Sequence, residues 1–137
     1  MVQSYLSITT RAVAGLAALL TLGLVQSAAA VENADFRFDT TKELYSVCAV
    51  PADAAEYPMA RQACRAFIEA TAQYHDAVSK PGKLKRLVCF PANATIEDGV
   101  AAFQVWAAAK AGDAQAMAAP PVLGLLRGLA AKYPCKG

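Results

Sequence analysis

Four cysteines constrain this chain more than any other feature of its sequence. They lie far apart, at Cys48, Cys64, Cys89 and Cys135. An even number of cysteines in a small exported domain predicts two disulfide bonds. A zinc site is the alternative, but its thiolates typically come in Cys-x-x-Cys pairs, and this sequence contains none. We therefore expect a fold held by two disulfides, for which four cysteines allow three pairings.

Export is indicated by residues 1–30, which have the layout of a secretory signal peptide. Arg11 is the single charge, an uncharged apolar run extends from Ala12 to Val25, and small side chains follow up to Ala30. The apolar run is shorter than the roughly 20 residues of a membrane-spanning helix. We predict cleavage after Ala30 and a periplasmic mature domain of residues 31–137 with no membrane span. The alternative is an uncleaved N-terminal anchor.

The mature domain has the apolar periodicity of an all-α protein. Apolar side chains recur at steps of three and four, and alanine, the best helix former, is frequent. A capping box at Thr40-x-x-Glu43 and a similar N-cap at Thr95-x-x-Asp98 predict the starts of two helices. We predict an orthogonal or bundle-like domain of four helices, with a loop at residues 112–119. The predicted helices are residues 41–49, 58–78, 96–111 and 121–132.

The spacing also predicts which side chains each helix buries. The second helix is expected to bury one stripe, and a second set of side chains widens it. The stripe contains Met59, Ala63, Phe67, Ala70, Tyr74 and Ala77. The widening set is Ala60, Cys64, Ile68 and Thr71. The fourth helix is expected to bury Val122, Leu125, Leu126 and Leu129. On the solvent side of the second helix, Arg65 and Glu69 are four residues apart and are expected to pair weakly.

The order of the helices favours one of the three disulfide pairings. Cys48 ends the first helix and Cys64 lies one to two turns into the second, so an antiparallel hairpin would bring them together. A bridge between Cys89 and Cys135 would tie the C-terminal tail to the segment before the third helix. The other two pairings stay open at this point. Each disulfide is expected to contribute about 2–4 kcal/mol to stability.

Few residues are candidates for catalysis. The chain has one histidine, so a multi-histidine metal site is impossible, and we expect His75 on a helix surface. A Cys–His nucleophile needs a free thiolate, which two disulfides would not leave. Glu97 and Asp98 are explained by their place at the start of a helix. We predict no enzymatic activity, no cofactor and no metal site.

The charged residues favour a protein partner over a nucleic acid. The formal net charge is +2, with both signs mixed along the chain, which gives no electrostatic footprint for nucleic acid. One basic cluster stands out, formed by the Lys and Arg residues of positions 80–86. It would suit an acidic partner surface or anionic lipid, although such runs are more often solvated loops. The residues predicted to bind a partner are Lys80, Lys83, Lys85, Arg86, Asp113 and Gln115. Tyr74 and Trp106 are possible interface anchors, with core packing as the default.

Short motifs surround each cysteine. They are Leu44-Tyr45-Ser46-Val47-Cys48, Cys64-Arg65-Ala66-Phe67-Ile68, Cys89-Phe90-Pro91 and the terminal Tyr133-Pro134-Cys135, with the leucine-rich residues 121–129 before the last. Together they resemble the Rap/Tai immunity proteins of type VI secretion systems, over about Phe36 to Cys135. The resemblance implies a small helical periplasmic protein that binds a peptidoglycan-cleaving amidase effector and blocks its active site. It also implies that a homodimer is possible.

A second function stays open beside the one that the resemblance implies. The same fold would serve a periplasmic binding module or stress protein that has no effector partner. The near-neutral charge and the single histidine count against an acid-stress chaperone, because few groups would titrate between pH 5 and 7. An immunity protein is therefore the preferred hypothesis.

Overall fold

The computed structural model describes residues 30–80 and 84–136, and it is helical throughout. A 3-10 helix, η1, is followed by five α-helices, and the described residues form no strand. Their one β-type contact is an isolated antiparallel bridge between Val88 and Pro134. The bounds are η1 Asn33–Arg37, α1 Thr41–Cys48, α2 Tyr57–Val78, α3 Ile96–Ala109, α4 Ala114–Ala118 and α5 Pro121–Lys132. The predicted all-α class is confirmed, and the long helices lie within two residues of their predicted bounds.

The predicted signal peptide falls almost wholly outside the described residues. Positions 1–29 are not described, so the export signal and the cleavage site after Ala30 stay predictions. Within the described ranges, no helix combines the length and the apolar character that crossing a bilayer requires.

The predicted capping box at Thr40 forms, and the predicted N-cap at Thr95 is also part of a capping box. The Thr40 hydroxyl accepts from the Glu43 amide at 3.2 Å, and the Glu43 carboxylate accepts from the Thr40 amide at 3.1 Å. At the start of α3, the Thr95 hydroxyl accepts from the Asp98 amide at 3.2 Å, and the Asp98 carboxylate accepts from the Thr95 amide at 2.9 Å. These bonds satisfy backbone donors that the first turn of a helix leaves free.

Because Asp98 takes part in the cap of α3, the free energy of unfolding is expected to fall at acid pH. Hydrogen bonds from the backbone and the side chain of Thr95 lower the pKa of the Asp98 carboxyl from its usual 3.8. A lowered pKa in the folded state means that the stabilisation is present above the ordinary value and is lost as pH falls below it. We expect Asp98→Asn to be less stable than the wild type at about pH 6, with the difference shrinking towards about pH 3.

Urea unfolding across this pH range measures the effect. Asp53→Asn, the same change in an exposed loop, is the control and is expected to leave the pH profile as it is. A difference between wild type and Asp98→Asn that stays constant from about pH 6 to about pH 3 would contradict the capping role.

The segment between α3 and α5 corrects the predicted loop at residues 112–119. Residues Ala114–Ala118 form the short helix α4, and the Asp113 side chain caps it by accepting from the Ala116 amide at 3.0 Å. Ala116 and Met117 are buried. The prediction missed this helix because five residues are too few to show a period. The N-cap aspartate was the available signal.

The core gathers around α1, which contacts every other helix. The largest fully buried side chains of the core come from all of the long helices and from the segment before α3. They are Phe103, Leu44, Ile68, Leu125, Leu129, Val47 and Val88. Aromatic rings close the edges, with Phe38 against Phe67 at 5.2 Å between centroids. One core therefore spans the described helices.

The buried face of α2 differs from the predicted stripe. Met59 and Tyr74 are 57% and 70% exposed, and Ala70 and Ala77 are exposed as well, so the prediction that these four are buried was wrong. The buried residues of α2 are Ala60, Cys64, Ile68 and His75. The first three belong to the set that was expected only to widen the stripe. The small side chains of Ala60 and Cys64 let α2 pack closely, whereas Met59 and Tyr74 lie outside this contact.

Helix α5 buries glycine where the spacing predicted a larger residue. Val122 is 42% exposed, which corrects its predicted burial, whereas Leu125 and Leu129 are fully buried as expected. Gly124 and Gly128 are buried beside them. A Cβ atom at Gly128 would lie 3.2 Å from the Phe103 Cα and the Trp106 Cβ, so this position sets how closely α5 approaches α3.

The structure confirms the favoured disulfide pairing. Cys48 and Cys64 join α1 to α2 with their Cα atoms 5.1 Å apart, and Cys89 and Cys135 join the segment before α3 to the tail with their Cα atoms 4.9 Å apart. All four cysteines are therefore oxidised.

The predicted pair of Arg65 and Glu69 does not form. Arg65 instead pairs with Glu97 of α3, which Arg61 also approaches at 3.5 Å. Glu69 accepts from the Gln73 side chain at 3.2 Å. The contact between helices replaces the one within α2, because α3 presents its first-turn carboxylate to the arginines.

Candidate protein-binding surface

The predicted basic cluster begins at the C-terminal end of α2 and continues into residues 84–88, which we call the basic segment. The Leu84 amide donates to the Val78 carbonyl at 3.1 Å, so the segment returns onto the end of α2. The Arg86 guanidinium lies 3.4 Å from the Asp76 carboxylate. These contacts hold the segment beside the last turns of the helix. The predicted residue Lys83 lies outside the described ranges.

The buried ring of His75 holds the basic segment through hydrogen bonds to its backbone. Its ring is only 6% exposed, so the predicted surface position was wrong. The Nε2 atom accepts from the Leu87 amide at 3.2 Å and from the Val88 amide at 3.4 Å. The other ring nitrogen, Nδ1, lies 3.4 Å from the Asp76 carboxylate and forms no hydrogen bond with the described residues. The histidine is therefore a structural acceptor for the segment's backbone.

Removing the His75 ring is expected to loosen this segment. His75→Ala leaves the amides of Leu87 and Val88 without their acceptor, and we expect a loss of about 2 kcal/mol in the free energy of unfolding. Urea unfolding measures this loss. Gln62→Ala, at an exposed position of the same helix, is the control and is expected to change stability by less than about 0.5 kcal/mol. Equal stability of the two variants would contradict the anchoring role.

The other end of the basic segment is tied to the C-terminal tail. Val88 is fully buried, and the Cys89 amide donates to the Tyr133 carbonyl at 2.9 Å. The rings of Phe90 and Tyr133 lie 5.4 Å apart, next to the Cys89–Cys135 disulfide. The Cys89–Cys135 disulfide and the buried Val88 side chain therefore fix the point at which the basic segment enters the core.

Large apolar side chains lie exposed around the basic residues. Tyr74, Leu84 and Leu87 are 70%, 63% and 49% exposed. Tyr74 occupies the same helix face as Val78, one turn away, and Val78 receives the Leu84 amide. Lys80 and Lys85 are exposed beside them. The default expectation that Tyr74 packs in the core was therefore wrong, and Tyr74 lies at the surface of α2, one turn before the Val78 carbonyl that holds the basic segment.

Asp113 and Gln115 lie elsewhere, on the short helix α4. The Asp113 carboxylate caps that helix, and Gln115 is exposed. Both line a cavity of about 540 Å³ that Arg127 also borders. Among the described residues, no hydrogen bond or ion pair joins this pair to the basic segment. The predicted binding residues thus divide between two places in the fold.

The other groups considered for chemistry have structural roles. Glu97 pairs with arginines of α2, and Trp106 is half-buried with its ring stacked on Phe103 at 6.5 Å between centroids. In the part of the chain that the structure describes, no group of three or more His, Cys, Asp or Glu side chains is placed to hold a metal ion.

Comparison with known proteins identifies a family. Residues 40–135 match the family described as Rap1a immunity proteins. The chain matches no curated protein and no solved structure. The matched range covers well over half of the sequence, contains all four cysteines and extends from α1 to the end of α5. The chain therefore belongs to the Rap1a immunity protein family, as the motifs around its cysteines indicated.

Proposed function

We propose that this chain is a periplasmic immunity protein that binds a peptidoglycan amidase effector of a type VI secretion system and occludes its active site. Membership of the Rap1a immunity protein family over residues 40–135 is the observation that carries the proposal. An immunity protein acts by binding a protein effector, so the partner is a protein. The amidase and the secretion system are the finer parts of the proposal, and they come from the resemblance to Rap/Tai proteins.

The disulfides support action outside the cytoplasm. Disulfides persist in oxidising compartments such as the periplasm and are rare in the cytosol. Both bonds of this chain are formed, and together they tie α1 to α2 and the tail to the segment before α3. The signal peptide predicted at residues 1–30 would deliver the chain to that compartment. Peptidoglycan lies in the same compartment, so the inhibitor would meet its effector there.

The described side chains suit inhibition by steric occlusion. The four cysteines are oxidised, His75 serves as a backbone acceptor and Glu97 pairs with arginines. Occlusion needs a rigid surface that covers about 800 Å² on each partner. A small domain with two disulfides supplies such a surface with little loss of conformational entropy on binding. The inhibitor then excludes peptidoglycan from the effector's cleft without changing any covalent bond.

An inhibition assay tests the proposal. The oxidised protein is added to a peptidoglycan amidase effector that the same bacterium secretes, and cleavage of purified peptidoglycan is measured. We expect cleavage to stop near a 1:1 molar ratio. An amidase that stays fully active at a large excess of the protein would contradict the proposal, and this is also the result expected of a stress protein that has no effector.

Protection of cells tests the compartment. A Gram-negative host that sends the amidase to its periplasm is expected to lyse, and co-expression of the full chain is expected to prevent lysis. A variant without residues 1–30 serves as the matched control, because it would remain in the cytosol. Protection by both forms would contradict periplasmic action.

A further inference from the structure

We propose that Tyr74, Lys80, Leu84, Lys85 and Leu87 form a docking surface for an acidic, partly apolar protein surface on the effector. The proposal rests on the proposed function, because it takes the effector as the partner. It names a place on this chain that family membership does not assign. We call these five residues the docking surface.

The composition of the docking surface is that of an interface core with a charged rim. Tyr74, Leu84 and Leu87 expose about half to three quarters of their area. Tyrosine is among the residues that most often dominate binding energy. Contiguous apolar exposure on a folded domain marks a site of interaction. These three side chains form the apolar part of the docking surface.

The charges around these side chains indicate what the partner carries. Asp76 neutralises Arg86, whereas Lys80 and Lys85 form no ion pair with any described carboxylate. Two uncompensated positive charges beside an apolar patch favour an acidic partner, because complementary potentials speed encounter and fix register. An anionic membrane is disfavoured, because Asp76 offsets Arg86 and leaves the cluster of four basic residues below the about four to eight positive charges that lipid-binding clusters use.

Residues 84–88 of the docking surface are held against α2 and the core by backbone contacts. His75 accepts from the amides of Leu87 and Val88, the Leu84 amide donates to Val78, and the disulfide of Cys89 fixes the exit of the segment. A loop held in one conformation loses little entropy when a partner covers it. These hydrogen bonds distinguish the basic segment from a solvated charged loop, whose backbone amides would need no buried histidine as their acceptor.

Two pairs of substitutions test the docking surface. Lys80→Glu/Lys85→Glu reverses its charge, and Leu84→Ala/Leu87→Ala removes its apolar side chains. The matched controls are Lys42→Glu, at an exposed position in the first turn of α1, and Val105→Ala, at an apolar side chain on α3 that is 74% exposed. Each protein is titrated against the secreted protein encoded by the adjacent gene, and circular dichroism verifies that every variant is folded.

We expect both pairs of substitutions to weaken binding by at least about 10-fold, the charge reversal mainly through slower association and the leucine pair mainly through faster dissociation. The charge reversal is also expected to reduce the dependence of association on salt. Both controls are expected to bind within about 2-fold of the wild type, since isolated surface changes contribute little.

The outcomes separate the docking surface from the proposed function. If the wild type inhibits an amidase and both pairs of substitutions bind as well as it does, the docking surface is wrong and the proposed function stands. If the neighbouring protein is no amidase but binding still depends on these residues, the docking surface stands and the proposed function is wrong. A wild type that binds phosphatidylglycerol vesicles and not the neighbouring protein overturns both.

Discussion

Replacing Cys89 and Cys135 together by alanine is expected to lower the free energy of unfolding by about 4 kcal/mol. The bond closes a loop of 46 residues, and its main effect is to restrict the unfolded chain. A chain of this size has a small core, so a loss of this magnitude is a large share of its stability. The variant is also expected to release the tail, because the Cys89–Tyr133 backbone bond and the Val88–Pro134 bridge depend on the same closure.

The second disulfide supplies the comparison. The Cys48–Cys64 bond closes a shorter loop of 16 residues, for which loop closure alone predicts about 3 kcal/mol. Urea unfolding of the oxidised wild type and of each double alanine variant gives both values. A loss below about 1 kcal/mol for the Cys89–Cys135 variant would contradict the role of this bond in holding the fold.

Gly124→Ala is expected to destabilise the fold by about 3 kcal/mol. A Cβ atom at this position would overlap the Cγ2 and Oγ1 atoms of Thr41. Thr41 is fully buried and cannot turn away freely, because its hydroxyl donates to the Ala119 carbonyl at 2.9 Å. Relief of the overlap therefore requires either the loss of this bond or a shift of α5 away from α1.

A matched glycine and a double-mutant cycle isolate this overlap. Gly112→Ala is the control, since its Cβ would meet nothing within 4 Å, and it is expected to be neutral or slightly stabilising. In the cycle, Gly124→Ala combined with Thr41→Ala is expected to be less destabilising than the sum of the two single changes. Thermal unfolding measures all four variants. Additive effects would show that the cost of the alanine arises elsewhere.

Local sequence signals predicted the fold well where the physics is local. The helix caps at Thr40 and Thr95 need only side chains three residues apart, and both formed as predicted. The hairpin that joins Cys48 to Cys64 follows from the order of two adjacent helices, and it also holds. These features depend on the nearest turns of the chain, which the sequence displays directly.

Packing between helices was harder to predict, because it depends on what a side chain lacks. Gly124 and Gly128 form much of the α5 interface, yet apolar spacing assigns weight only to large side chains and placed Val122 there instead. On α2 the same emphasis on large side chains placed Met59 and Tyr74 in the predicted buried stripe and Ala60 only beside it, whereas the structure buries Ala60. A pair of glycines four residues apart within a helix was the signal that would have corrected the first of these errors.

The sequence predicted the charged residues of the candidate surface but not the burial of His75 or the exposure of Tyr74. The charges of Lys80, Lys85 and Arg86 are plain in the sequence, and they indicated the segment on which the proposed docking surface lies. The burial of His75 was not predictable, because its partners are backbone amides twelve and thirteen residues away. The exposure of Tyr74 follows from how α2 rotates against the core, which no local pattern determines.

The central claim is that this protein occludes the active site of an amidase effector, and competition measures that directly. A catalytically inactive form of the amidase effector is titrated with the protein at rising concentrations of a soluble peptidoglycan fragment. Occlusion predicts that the apparent Kd rises in proportion to the fragment once the fragment exceeds its own Kd, because the two ligands exclude one another. An apparent Kd that stays constant at saturating fragment would contradict occlusion.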